Sequence, residues 1–522
     1  MGTRTKDDFY HGTKAGVVGG TTMVIDFVIP QKGQSLLEAF DYWMKKADGK
    51  AVCDFAFHVA ITYWNPKVQE EMEILCRNKG VNSFKMFMAY KDSFMIDDAD
   101  LFHAFKKCES IGALPMVHAE NGHIIKENST ILLGNGTTGP VGHQLSRPEN
   151  LEAEATNRAC VIAENVGSAL YVVHVMSKSA SEMISKRREE GNKRFFGEAL
   201  AAGLGTTFPT DTSDYASLAG HIMGPPIRED PNTPRALMES LASDGLSTTG
   251  TDNCTFDTCQ KEMGKHDFTR IPNGVNGLED RMSIIWNNGV KTGLLSPEKF
   301  VAVTSTNAAK IFNVFPQKGC IRPGSDADVV IWNGESSRVI SAKTHQHNND
   351  FNIFEGMTVV GNTEVVIVKG KIAYEAANNI VSVEKGWGKY VPTPCYSPKV
   401  FRAVGMVLAA DKYTDKYDNI DLDEILGNQR LYQKYFDCIQ GKGKCTPDGA
   451  ELKETIPEAL KTECAKCSDK QKAGVEKVLR HLIREKPDDY KVLEDQFDPE
   501  GVYRKKYEDL KKKVEEGKPI EY

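Results

Sequence analysis

From residue 20 to about 310 the chain repeats one unit, a short apolar run rich in β-branched residues followed by a stretch whose apolar positions fall at helical spacing. That alternation admits little besides helices packed on a parallel sheet, because parallel neighbours need a long crossover and a helix usually supplies it. Seven strands are read: MVIDF (23–27), VCDFAFHVAI (52–61), SFKMFM (83–88), LPMVHA (114–119), ALYVVHV (169–175), RFFGEAL (194–200) and LSTTGTD (246–252). Seven suit a doubly wound sheet, or a closed (β/α) barrel that is one strand short of eight.

The remaining chain changes character twice. IRPGSDADVVIW and TEVVIVKGKIAYEA, broken by Gly, Asn and Asp, read as antiparallel β structure over about 314–385. VPTPCYSPKVF, with three prolines, and the short apolar AVGMVLAAD read as an extended arm and linker over 386–410. From 411 to 522 charged residues dominate, and stripes such as Val475, Val478, Leu479, Leu482 and Ile483 predict an all-α module. With 65 Lys plus Arg against 72 Asp plus Glu, a net charge of -7 argues against a nucleic-acid partner. No apolar run reaches the length of a membrane span, and MGTRTKDDFY has no apolar signal core, so a cytoplasmic chain with no membrane partner is expected.

Ionisable residues sit where such a sheet has no structural use for them. Lys85 lies inside SFKMFM, His118 and His174 end LPMVHA and ALYVVHV, and Asp252 ends LSTTGTD. In a β/α barrel catalytic groups project from the C-terminal ends of several strands into one mouth, so the four would converge as a metal site. A buried lysine loses its hydration and is driven towards neutrality. Carbamylation would turn it into a carboxylate, and two imidazoles with a further carboxylate complete a set suited to Zn²⁺. The plainer readings are core histidines satisfied by hydrogen bonds and an edge lysine that snorkels. Gly134, Gly136 and Gly139 match GxGxxG, but no strand precedes them, so they read as a loop.

SFKMFMAYKD, VHAENG, VVHVMSKSA, MGPPIR, TTGTDNCTFDTCQK, IPNGVNGLEDRM, TSTNAAKIFN and GSDADVVIW resemble animal dihydropyrimidinases, of the hydantoinase branch of the amidohydrolase superfamily. The resemblance implies an incomplete (β/α)8 TIM barrel over 1–313, with part of a small β-sandwich over 314–385. It implies zinc-dependent opening of the cyclic amide of 5,6-dihydrouracil or dihydrothymine, a small cyclic ureide, to an N-carbamoyl-β-amino acid, and a family-like homotetramer. Lys85 would be the carbamylated ligand, His118 and His174 the ligands of the second zinc, and Asp252 a ligand of the first and the proton carrier. Tyr90 would donate to the oxyanion, and the backbone of Asn273 would bind the ring amide. The related collapsin response mediators share the fold without the metal ligands, and all four residues are present here.

The sequence departs from the family at its start. Members carry a first barrel strand ending in an HxH pair for the first zinc, whereas only His11 and His58 precede Lys85. MGTRTKDDFYHGTKAGVVGGTT aligns from just after that loop, which makes Met1 resemble an internal methionine. The expectation is one zinc or fewer of the family's two, and impaired hydrolysis.

Of the 12 cysteines, Cys438, Cys445, Cys464 and Cys467 crowd near the end as C-x6-C-x18-C-x2-C. With DKYTDKYDNIDLDEIL, CTPDGAELK and DPEGVYRKKYEDL they resemble an insect chemosensory protein of the OS-D type. That resemblance implies a disulfide-linked helical bundle that pairs Cys438 with Cys445 and Cys464 with Cys467 and holds an apolar ligand. A zinc site on the CxxC pair is the rival. Such modules are secreted and the enzyme half belongs in the cytosol, so a chance joining of neighbouring genes would account for the fusion. The rival functions are a non-catalytic binding protein, in which only the helical module holds a ligand, and a metal-free collapsin-response-like scaffold.

Overall fold

The computed structural model describes residues 2–396, 420–462, 467 and 469–497. The chain divides into two compact units, Met1–Leu408 and Ala409–Tyr522.

In the first unit seven parallel strands pair in sequential order: β1 (Met23–Val28), β2 (Asp54–Ile61), β3 (Ser83–Phe87), β4 (Leu114–His118), β5 (Leu170–Val175), β6 (Phe195–Leu200) and β7 (Thr248–Gly250). Every residue of β2 to β5 is buried, as expected of parallel strands covered on both faces. Among the described residues β1 pairs only with β2, and five of its six residues are half-buried. Helix starts follow local chemistry. Asn65, Asn121 and Ser177 each accept a hydrogen bond from the backbone N–H three residues on. Two of these caps come three residues after His118 and His174, which sets both histidines at a strand end facing a tight turn.

Two strands end differently from their sequence reading. LSTTGTD contributes only Thr248–Gly250, because Asp252 takes φ 46°, a left-handed conformation that cannot continue a strand. His174 takes φ 38°, and the β5–β6 register shifts between Val172 and Val175 at that point.

A second sheet, antiparallel in the order β11-β10-β9-β8, comprises β8 (Val329–Val339), β9 (Thr358–Val368), β10 (Lys371–Glu375) and β11 (Ile380–Val381). Lys318 ties it to the barrel, donating to Asp54 at the head of β2 (2.7 Å) and to Asp328 just before β8 (2.6 Å). The proline-rich arm is a strap as far as residue 396. Val391 N donates to Phe55 O (2.8 Å) and Tyr396 N to Gly112 O (2.9 Å). Its continuation through AVGMVLAAD lies outside the described residues.

The second unit has helices over Leu422–Gly427, Gln429–Gln440, Pro447–Thr462, Asp469–Glu485 and Pro487–Phe497. Tyr432, Phe436 and Leu482 form its buried centre, with Leu426, Val478, Tyr490 and Leu493 packed against them. Cys438 and Cys445 form a disulfide. Cys467 is also disulfide-bonded, while Cys464 lies outside the described residues.

Candidate active site

Lys85 sits mid-strand in β3, level with Ala60 of β2 and Met116 of β4, and is 3% exposed. Its Nζ lies 4.4 Å from the ring centre of Phe27 and 5.1 Å from that of Phe87. Burial pulls the ammonium down to about 8, although Asp252 and Glu198 favour its charge. A minority of the amine is therefore neutral, and nucleophilic, near physiological pH, far more than for an exposed lysine.

His118 and His174 meet in front of it, with His118 Nδ1 2.9 Å from His174 Nε2. Burial lowers both imidazoles, and Lys85 adds to the effect on each, so both are neutral. Which nitrogen of His118 carries the proton follows from Glu120. Burial opposes the charge of that carboxyl, but Arg147 and a hydrogen bond from His118 hold it at about 2. An ionised carboxylate only accepts, so His118 Nε2 donates to it (2.8 Å) and Nδ1 keeps a lone pair towards His174. Arg147 Nη1 donates to the same Glu120 oxygen (2.5 Å). Arg228 donates to Arg147 O (2.8 Å) and to Glu152 (2.6 Å), and Glu152 accepts from Met176 N (2.7 Å), two residues beyond His174. One buried polar chain thus links the turns after β4 and β5.

Asp252 enters from the turn after β7. Burial raises its carboxyl, while Lys85 and His118 lower it. Beside it, Glu198 of β6 accepts from Tyr171 Oη (2.8 Å) and from His174 N (3.3 Å). Asp26 of β1 is raised to about 6 by burial, with Asp252 adding to the rise. Lys85 interacts electrostatically with His118, His174 and Asp252, so the four lie in one mouth, although among the described residues no three His, Cys, Asp or Glu side chains are grouped closely enough to hold a metal ion.

The rim of the mouth carries Tyr90 and Asn273, whose side chains both face Gly224. Burial raises the Tyr90 phenol to about 12, so it stays protonated and can donate. Tyr90 takes φ 61°, so among the described residues three of the eight non-glycine residues with positive φ, Tyr90, His174 and Asp252, belong to this mouth. Strain of that kind persists where surrounding contacts over-determine it. Gly224 leaves room in front of them. A Cβ there would lie 2.8 Å from Tyr90 Oη and 3.6 Å from both Asn273 Nδ2 and a Glu120 oxygen.

Reading the sequence missed Glu120, Arg147, Glu198 and Asp26. The strand-end rule that found His118 applies equally to Glu198 in RFFGEAL, and Glu120 stands two residues past His118 in VHAENG. Arg147 has no such signal. His58 and His11, the two histidines upstream of Lys85, are engaged elsewhere, His58 with Ser83 (2.6 Å) and His11 with Asp8 (2.8 Å).

Residues 3–373 match the model of the amidohydrolase family. The chain belongs to the amidohydrolase family. Within it, it is of the dihydropyrimidinase type, a cyclic amidohydrolase. It is 55% identical over 405 residues to rat dihydropyrimidinase, covering 77% of this chain and 78% of the rat protein. It is 44% identical to mouse dihydropyrimidinase-related protein 5, covering 82% of this chain and 75% of that one. The crystal structure of dihydropyrimidinase from Brevibacillus agri superposes with a TM-score of 0.74 at 40% identity, covering 76% of this chain and 85% of that chain. Residues 413–505 match the insect pheromone-binding family A10/OS-D. Among the described residues no helix of this amidohydrolase is long and apolar enough to cross a membrane.

Proposed function

We propose that the barrel unit hydrolyses the cyclic amide of 5,6-dihydrouracil and dihydrothymine to N-carbamoyl-β-amino acids, with zinc held by His118, His174, Asp252 and a carbamate on Lys85. The observation that carries this reading is the convergence of those four residues in one mouth, with a protonated phenol and an amide side chain on its rim. Two features favour a divalent cation. The facing nitrogens of His118 and His174 are 2.9 Å apart, comparable to the roughly 3.3 Å edge of a tetrahedral zinc site. Lys85 is a buried amine whose neutral form, the one that takes up CO₂, is made more accessible by burial.

Zinc bound there would acidify water and polarise the ring carbonyl. The protein does the rest. Asn273 holds the ring amide, and Gly224 leaves space for the ring plane. Tyr90 donates to the carbonyl oxygen as it becomes an oxyanion, worth 10²–10³-fold in well-placed cases. Asp252 accepts the proton of the attacking water and returns it to the ring nitrogen as the C–N bond breaks, so that water is added across that bond. Its burial keeps the carboxyl basic enough for both transfers.

Of the donors in this chain, His118, His174 and the carbamate serve one ion, whereas the carbamate and Asp252 alone serve a second. Catalytic zinc sites usually have three protein ligands, so the first of these sets is the more complete. The helical unit is read as a carrier of an apolar ligand, supported by its family match. The test is dihydrouracil hydrolysis, followed in the ultraviolet, with zinc counted per chain. We expect turnover that is lost in Lys85→Met. Turnover in Lys85→Met equal to the parent would refute the assignment.

A further inference from the structure

Lys261 lies at the end of a four-residue helix, Thr258–Lys261, and is 3% exposed. A buried ammonium ordinarily faces a carboxylate, since its desolvation is costly. This one donates to three backbone carbonyls: Ile222 O at 3.0 Å, Pro272 O at 2.8 Å and Gly274 O at 2.8 Å. All three N–H groups are thereby used. Burial pulls the amine down to about 7, opposed by Cys254, and the three carbonyl oxygens are hydrogen-bond acceptors for its protonated form.

The choice of carbonyls gives the lysine a purpose. Pro272 and Gly274 bracket Asn273, the rim residue whose side chain faces Gly224 beside Tyr90. Ile222 O also accepts from Gly274 N (2.9 Å), so the 222–224 and 272–274 segments are laced together at the ammonium. The first of these leads into Gly224, whose Cα faces Tyr90 Oη. The second is wedged against the turn that carries Asp252. Gly274 takes φ 151°, a Cβ on it would lie 2.4 Å from Cys254 O, and Cys254 N donates to Val275 O (2.9 Å). Gly274 thus permits a close approach that only glycine allows. The Pro272 carbonyl belongs to the same peptide unit as the Asn273 N–H. A cation on that carbonyl polarises the unit and makes the N–H a stronger donor, as hydrogen bonds in series do in a low-dielectric interior.

We propose that Lys261 is a positioning residue for recognition of the ring amide, fixing the Asn273 segment against Tyr90 and Gly224 and strengthening the Asn273 N–H as a donor to the substrate. This rests on the reading of the mouth as a cyclic-amide site. Lys261→Met retains the volume and removes the three donors, whereas Lys261→Arg retains the charge in a planar fork that does not fit three carbonyls around one nitrogen.

The experiment measures the Kd of 5,6-dihydrouracil by calorimetry on the full chain, with KM and kcat separately and the melting temperature alongside. We expect Kd and KM to rise about tenfold in Lys261→Met, the cost of roughly one charge-assisted hydrogen bond. We expect kcat to fall less than threefold and Lys261→Arg to lie between parent and Met variant. A purely structural lysine would instead lower the melting temperature and the active fraction, leaving KM untouched. If Lys261→Met does not fold, Lys261→Arg carries the test, and parent-like affinity in it overturns the inference. Parent-like affinity in a folded Lys261→Met overturns it as well, with the cyclic-amide reading intact. A parent chain that neither binds nor hydrolyses dihydrouracil overturns both.

Discussion

Replacing Glu120 by glutamine keeps the side-chain volume and removes the charge, which exposes what the carboxylate does for His118. In the folded chain one Glu120 oxygen accepts from His118 Nε2 at 2.8 Å and from Arg147 Nη1 at 2.5 Å. The amide offers one accepting atom and one donating group. If its NH₂ turns to His118, that imidazole must accept at Nε2, and its proton moves to Nδ1, the atom facing His174. The nitrogen proposed to hold zinc is then blocked. An NH₂ in that place also faces Arg147 donor to donor, whereas an amide oxygen there keeps both hydrogen bonds but still leaves a buried guanidinium without its carboxylate. Breaking a buried pair costs about 3–5 kcal/mol. The lowering of Glu120 from 4.5 to about 2 corresponds to about 3 kcal/mol of coupling, in the same range. Losing a carboxylate behind a metal-binding histidine typically costs 10–100-fold in affinity. Competitive titration of the parent and Glu120→Gln chains with a chromophoric chelator should therefore show zinc held at least tenfold more weakly, with a melting temperature several degrees lower. Zinc affinity within twofold of the parent, in a variant that melts with it, would refute the assigned tautomer and the role of Glu120.

Other expectations follow from single contacts. Chain prepared in CO₂-free buffer should hold little zinc, and bicarbonate should restore it severalfold, because a Lys85 amine near 8 is neutral enough to be carbamylated; metal content independent of bicarbonate would count against this. Asp7 and His347 form a buried pair (2.7 Å). Burial opposes both charges, yet their mutual bond lowers the Asp7 carboxyl below 3.8 and raises His347 above 6.5. The Asp7 contribution is present above 3.8 and lost as pH falls through its lower folded value, and that of His347 is present below 6.5 and lost as pH rises through its higher one. Asp7→Asn should thus lower the urea midpoint more at pH 5.5 than at pH 9, and an equal loss at both would contradict the pair. Removing the Cys438–Cys445 bridge by paired serine substitution should cost about 2 kcal/mol, as a loop this short implies, with helical circular dichroism retained. Loss of helicity at 25 °C would show that the disulfide, rather than the Tyr432, Phe436 and Leu482 cluster, organises the unit.

The sheet, its order and its helical cover were legible in the sequence because they depend on short-range alternation. Apolar β-branched runs, Asn and Ser caps and roughly regular spacing act within a few residues, and each of the seven runs overlaps one of the seven strands. Lys85, His118, His174 and Asp252 stood out for a related reason, since an ionisable residue in or at the end of a buried strand conflicts with its neighbours. The strand ends at His174 and Asp252 were not legible. Their left-handed backbone is imposed by packing at the mouth, against local preference.

The sequence by itself determined a parallel α/β sheet, four convergent polar residues and a cysteine-bearing helical tail. The tertiary structure alone decided which nitrogen of His118 faces His174, through a Glu120–Arg147 contact across 27 residues. It also decided that Lys261 joins the carbonyls of Pro272 and Gly274 to that of Ile222, across 39 residues. These contacts run between loops, and several end on backbone carbonyls that every residue possesses. No side-chain pattern marks which carbonyl will be chosen. Burial makes an unpaired ammonium or carboxylate costly, and the folded loops settle which partner lies within reach.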